Sequence, residues 1–315
     1  MSRYRTPASA LGVLLLAAGA AAPACAQDLV KEALASFPLE TIRMEYSSPA
    51  KLRQLPEYSR LHERYLGPSL RTLETHLASL GVRESDLNEI VFGWQPSGGG
   101  LSLEGLAYGE FDPQAMAGQA AANGIAATPV GSISGYCFGT ADNAPCVAVL
   151  GRGLGGFGTL AALRNMVGVR GGETAGLSSN PNFSNLVSAA NKDAPIWGVA
   201  TGSAIEDWFK SGMPVQKNLP VDLGMIFRNV ESLDYSVVPT DRVHVNVEMN
   251  CTSANAAGSL RQQFETLRLF QKVAWQQQYP GVANPFEDLA VNASGSSLTL
   301  SMSTPYSALE AGAKS

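Results

Sequence analysis

The chain has 315 residues, of which 45% are hydrophobic and 16% charged, with a formal net charge of −5 at pH 7. That mildly acidic balance excludes the basic footprint of a nucleic-acid-binding protein. Beyond the N-terminus the apolar residues are dispersed rather than gathered in runs of about 20, which excludes a chain of several membrane-spanning helices.

The N-terminus MSRYRTPASALGVLLLAAGAAAPACAQ carries Arg3 and Arg5, an apolar run from Ala8 to Ala22, and small residues ending Ala24-Cys25-Ala26. Those three regions predict a secretory signal peptide over residues 1–26, cleaved after Ala26. Acylation of Cys25 is the weaker alternative, because Ala22-Pro23-Ala24 lacks the leucine-led pattern of a lipoprotein. The expected product is secreted or periplasmic, with no transmembrane segment once the leader is removed, and residues 27–315 suffice for two domains of about 100–200 residues each.

TIRMEYSS alternates Ile42, Met44 and Tyr46 against Thr41, Arg43 and Glu45, the period of a half-buried strand. Ser48-Pro49 opens a long helical region reaching Leu80, with Leu70, Leu73, Leu77 and Leu80 on one face and Gly81 as the stop. LNEIVFGWQ and LSLEGLAYGEF flank Pro96–Gly100 as a hairpin, and Asp112-Pro113 opens a short helix. SISGYC and PCVAVL flank a Gly/Asp/Asn/Pro turn as a second hairpin. In the second half PIWGVAT reads as a strand and SAIEDWFKSG as a helix. GMIFRNVESLDYSVV and RVHVNVEMNC form a hairpin around Pro239-Thr240-Asp241, a helix runs from about Ser253 to Gln278, and EDLAVNASGSSLTLSMST is a closing hairpin.

Both halves therefore read β-α-β-β-α-β with an extra strand, which predicts an α+β protein of two tandem ferredoxin-like βαββαβ units with antiparallel sheets. The expected boundaries are a first domain over 27–167, a Gly/Ser/Asn-rich bridging segment with one short helix over 168–194, and a second domain over 195–315. FPLETIRMEYSSPAKLRQLPEYSRL, LASLGVRESDLNEIVFGW, GLAYGEFDPQAM, IWGVATG and LDYSVVPTDRVHVNVEMNC together resemble a loose set of uncharacterised secreted bacterial proteins. That resemblance implies tandem ferredoxin-like domains and a secreted life, and no activity.

Cys137 and Cys146 face each other across the second hairpin, which in an oxidising compartment predicts a structural disulfide. Cys251 shares the apolar parity of Val243, Val245, Val247 and Met249, as a buried thiol would. Gly151, Gly153 and Gly156 match G-x-G-x-x-G, but a dinucleotide site also needs a parallel βαβ unit and an acidic strand end. Glu173 lies at about that separation within a glycine-rich loop, so a plain strand-to-helix turn is expected and no cofactor.

Ser48–Lys51, Ser178–Asn180 and Lys210–Gly212 match S-x-x-K, S-x-N and K-[ST]-G in the order used by penicillin-recognising serine acyl-transferases, with Ser48 as nucleophile and Lys51 as base. Against this, Ser48 is equally a helix cap and Lys210–Gly212 reads as a helix end where an edge strand is required. His62, His76 and His244 show no zinc spacing, and His62 and His76 are expected in solvent.

In RVHVNVEMNC the residues His244, Asn246, Glu248 and Asn250 share one polar parity, matched by Ser232, Asp234 and Ser236 and by Thr299 and Ser301. Asp234, His244, Asn246 and Glu248 are accordingly the candidate face for a ligand or partner. The expected function is a non-catalytic binding or structural protein of the cell envelope, engaging an envelope protein or a small ligand. A penicillin-recognising enzyme and a periplasmic small-molecule binder are the alternatives.

Overall fold

The computed structural model describes residues 25–65, 68–98, 100–212 and 223–312. The expected leader lies outside them, except that Cys25 and Ala26 begin the first helix. Helix α1 (Cys25–Ser36) leads to β1 (Arg43–Ser47), followed by α2 (Pro49–Leu52), α3 (Tyr58–Tyr65) and α4 (Pro68–Ser79). Next come β2 (Leu87–Ser97), β3 (Gly100–Gly109), α5 (Pro113–Ala122), β4 (Ala127–Val130), β5 (Ile133–Cys137), β6 (Pro145–Gly151) and β7 (Leu154–Thr159). Helices α6 (Leu160–Arg170) and α7 (Pro181–Ala189) precede β8 (Ile196–Thr201), α8 (Ser203–Gly212), α9 (Leu223–Phe227), β9 (Val230–Pro239) and β10 (Val243–Cys251). The described chain ends with α10 (Ala254–Gln278), β11 (Ala290–Ser294), β12 (Ser297–Thr304) and α11 (Tyr306–Gly312).

Capping explains several starts. Ser48 caps α2 with Pro49 behind it, and Asp112 Oδ1 accepts from the Gln114 amide at 2.9 Å ahead of α5. Asn180 Oδ1 accepts from the Phe183 amide at 3.1 Å to open α7. The long helix expected from Ser48 to Leu80 is three short ones. Pro56 precedes α3 and Pro68 opens α4, and a helix interior tolerates neither ring.

The tandem ferredoxin-like expectation is overturned. All twelve described strands form one antiparallel sheet in the order β11-β12-β10-β9-β8-β1-β2-β3-β7-β6-β5-β4. The seam is β1, which pairs with β2 on one side and with β8 on the other: Tyr46 faces both Val91 and Trp197. In a ferredoxin-like unit the helical crossover makes the second strand parallel to the first and sets it one place away, with the third strand between them. Here α8 and α9 return the chain to the immediate neighbour of β8, so β9 lies antiparallel to it. Two separate units would also leave β1 and β8 with free edges, and pairing them satisfies both rows of backbone groups.

Alternation along the strands divides the sheet into two faces. The first face carries Met44, Tyr46, Val91, Leu106 and Trp197 under α1, α6 and α7, which contribute Leu29, Ala33, Met166, Phe183 and Val187. The second face holds Phe92, Val147 and Phe157 against Met116 and Ala120 of α5. Farther along, the same face holds Leu233, Val247, Met249, Leu298 and Leu300 beneath Phe209 of α8 and Leu260 and Phe264 of α10. β1 is thus covered on both sides rather than half-buried. Two strand glycines allow rings to lie flat on the sheet: a Cβ at Gly198 would stand 2.6 Å from the Tyr235 ring, and one at Gly93 would stand 2.9 Å from Phe37.

Within the segment 168–194, Leu177 and Phe183 are core residues of the first face, so that stretch packs as well as bridges. Cys137 and Cys146 are directly opposed in the β5–β6 pairing and form a disulfide, and Cys251 is a buried free thiol whose pKa burial pushes up. The bridge closes a loop of sequence separation 9. The double variant Cys137→Ser, Cys146→Ser should lose about 2–3 kcal/mol of unfolding free energy in urea titrations. A loss near zero would show that the hairpin is held by its ladder alone.

Candidate functional site

A cavity of about 510 Å³ lies on the second face, between the two hydrophobic clusters of that side. Its floor is the sheet: Ile90 and Phe92 of β2, Ala107 of β3, Val147 of β6, Phe157 of β7 and Ile196 of β8. Leu52, Tyr58, Leu73 and Leu77 of α2–α4 form the roof, and Val237, Val243 and Leu309 close the far end. Two local features keep it from collapsing. The helices over the floor are short and proline-separated, so they cannot seat a long continuous ridge on the strands. In the floor the Phe157 ring lies over Gly105, where a Cβ would overlap it, so it hugs the sheet instead of standing into the space.

The polar residues on the lining are held in place. Arg53 Nη1 donates to Glu84 Oε1 at 2.9 Å and to the Glu84 and Leu87 carbonyls, tying the end of α2 to the start of β2. The Tyr58 hydroxyl donates to the same Glu84 oxygen at 2.7 Å, and burial followed by that carboxylate raises the phenol pKa above its ordinary value. His62 Nε2 lies 3.0 Å from Glu74 Oε1, and its ring sits 5.2 Å from that of Tyr58. At the sheet, Arg43 Nη2 donates to Glu45 Oε2 at 2.8 Å, the Tyr235 hydroxyl donates to the same oxygen, and the guanidinium rests 4.0 Å above the Trp94 ring.

The expected polar face also forms, on the first face and away from the cavity. Asp234 is opposite Glu248, Asn246 lies between Ser236 and Ser301, and His244 lies between Val238 and Ser303. Asn246 and Glu248 are exposed, whereas Ser232 and Ser236 are buried, so the face is covered along β9. Burial, then the neighbouring Glu248, pushes the Asp234 carboxyl up to about 6, and Ser297 Oγ donates to Glu248 Oε1 at 2.9 Å. Among the described residues no group of three or more His, Cys, Asp or Glu side chains is placed to hold a metal ion.

The other motifs are not brought together. Asn180 caps α7 on the first face, while α8, which ends with Lys210–Gly212, packs on the second. Lys210 Nζ pairs with Glu206 at 2.6 Å, and Ser48 is buried as the α2 cap. Gly151, Gly153 and Gly156 span the β6–β7 hairpin, with Gly153 at φ 71°, which corrects the expected strand-to-helix turn. Histidines expected in solvent have partners: His62 as above, and His76 stacked on Phe138 at 4.2 Å. The cavity escapes sequence reasoning because its walls come from eight strands and five helices. The visible signals are only the two prolines and the Leu73/Leu77 stripe.

No protein-family model matches the chain, and no curated protein does at a significant level. The fold is similar to that of TP0453. Its crystal form III gives a TM-score of 0.53 at 9% identity, covering 89% of this chain and 95% of that one. Its crystal form I gives 0.50 at 10% identity with the same coverage.

Proposed function

We propose that the protein is an exported, non-catalytic binder of an apolar small molecule, held in the cavity between the sheet and helices α2–α4. The observation that carries this reading is the cavity itself: about 510 Å³ walled almost wholly by aliphatic and aromatic side chains, within the range that buries a small ligand. An apolar wall of that extent is costly to leave against water, and an apolar guest that covers it removes that cost. Export is supported by the three-region leader and by a disulfide that persists in oxidising compartments.

The test is titration with an uncharged fluorescent apolar probe, N-phenylnaphthylamine, together with melting curves. Saturating probe at about 100 times its Kd should add about 2.7 kcal/mol of stability and raise the melting temperature. Ala107→Trp places a large ring on the cavity floor and should weaken probe binding by about tenfold or more, and Leu77→Trp should do so from the roof. Probe affinity unchanged in both folded variants would place the bound molecule elsewhere and defeat the reading.

A further inference from the structure

The charged lining of the cavity is one-sided. Glu45, Glu74 and Glu84 line it, and among the described residues no lysine or arginine does. The two nearby guanidiniums stand behind these carboxylates and are already bonded to them, Arg43 to Glu45 and Arg53 to Glu84. The third carboxylate, on Glu74, lies 3.0 Å from the imidazole of His62 and is not paired with an arginine among the described residues. An anionic head brought into this space would meet acceptors of its own sign, in apolar surroundings where like charges repel strongly and no lysine or arginine among the described lining residues offsets the cost. A hydroxyl or ammonium head instead brings donors to oxygens that accept, while its tail lies along Ile90, Phe92 and Phe157.

Resting on the apolar-ligand reading above, we propose that the cavity takes a single-chain amphiphile whose head is a hydrogen-bond donor without negative charge. It discriminates against the chain-matched carboxylate or phosphate. Glu74, near the roof and not locked to an arginine, is the residue that reads the head.

Competition for bound N-phenylnaphthylamine by lauryl alcohol, laurylamine, laurate and lauryl phosphate, at neutral pH and below their micelle concentrations, tests this directly. The alcohol and amine should displace the probe at concentrations about tenfold or more below those needed for laurate and the phosphate. Glu74→Gln should narrow the gap between amine and laurate, and Glu74→Lys should reverse it, with the melting temperature showing that each variant is folded. Laurate competing as well as the alcohol in the unmodified protein, or a preference unchanged in Glu74→Gln, would overturn head-group selection while leaving apolar binding intact. Failure of the probe to bind, or binding indifferent to Ala107→Trp, would instead remove the apolar-ligand reading and this one with it.

Discussion

Trp197→Ala is expected to cost about 3–5 kcal/mol of unfolding free energy, a large share of the roughly 5–15 kcal/mol available to a folded domain. The Trp197 side chain is 1% exposed, and its ring stacks on Tyr46 at 5.7 Å with 19° between planes. The pair sits at the β8–β1 seam, and the Tyr46 hydroxyl donates to the buried Glu89 carboxylate at 2.8 Å. Truncation removes an indole where the strands on either side are locked by their ladders, so the space cannot close. Phe270→Ala, on the outer side of α10 at 65% exposure, is the matched control and should change stability by no more than about 0.5 kcal/mol. Urea midpoints with unchanged slopes provide the comparison. A Trp197→Ala loss below about 1 kcal/mol would mean that the seam relaxes freely and that the two halves of the sheet are only loosely joined.

Glu104→Gln is expected to make the protein more stable at mildly alkaline pH by as much as a few kcal/mol, and to leave it nearly unchanged near pH 4. Glu104 stands on β3 opposite Gly93 and Gly158, fully buried, with the Thr41 hydroxyl donating to Oε1 at 3.3 Å and Oε2 unpartnered. Burial pushes its carboxyl up to about 8 from an ordinary 4.5, reinforced by Glu40 and partly opposed by the Thr41 hydrogen bond. The sign follows from linkage. Below 4.5 the carboxyl is protonated whether the chain is folded or not. Between 4.5 and 8 the unfolded chain ionises while the folded one resists, so stability drains away as pH rises, and the loss is complete above 8. Glutamine keeps the shape of the protonated acid and cannot ionise. The wild-type and variant unfolding free energies should therefore converge at low pH and separate up to about pH 8. Parallel profiles would show that Glu104 ionises in the folded protein at its ordinary pKa.

Local patterns carried much of the secondary structure. The β2–β3, β9–β10 and β11–β12 hairpins, the Asp112 cap, the Cys137–Cys146 pairing and the buried Cys251 all follow from alternation, turn residues and capping within a few residues. The parity that put His244, Asn246 and Glu248 with Asp234 also holds, because side-chain direction in a strand is a local property and the hairpin sets the register. The β4 strand and the β6–β7 hairpin were not legible. β4 is only four residues long, and the glycines of β7 suggest a turn to any local rule although Gly155, Gly156 and Gly158 pair with Val149, Ala148 and Cys146 of β6.

By itself the sequence determined most of the hairpins, the disulfide, the shared parity of the polar residues and the apolar alternation of the strands, since each depends on neighbours a few positions apart. The tertiary structure alone decided that two similar halves share one sheet, because the β1–β8 pairing joins residues about 150 positions apart and is favoured by satisfying two edges at once. It alone also decided that Ala107, Phe92 and Phe157 surround an apolar cavity with Tyr58 and Leu77, and that Glu104 is buried with no cation paired to it among the described residues. Such placements depend on which surfaces meet once the sheet has closed, and no periodicity along the chain records them.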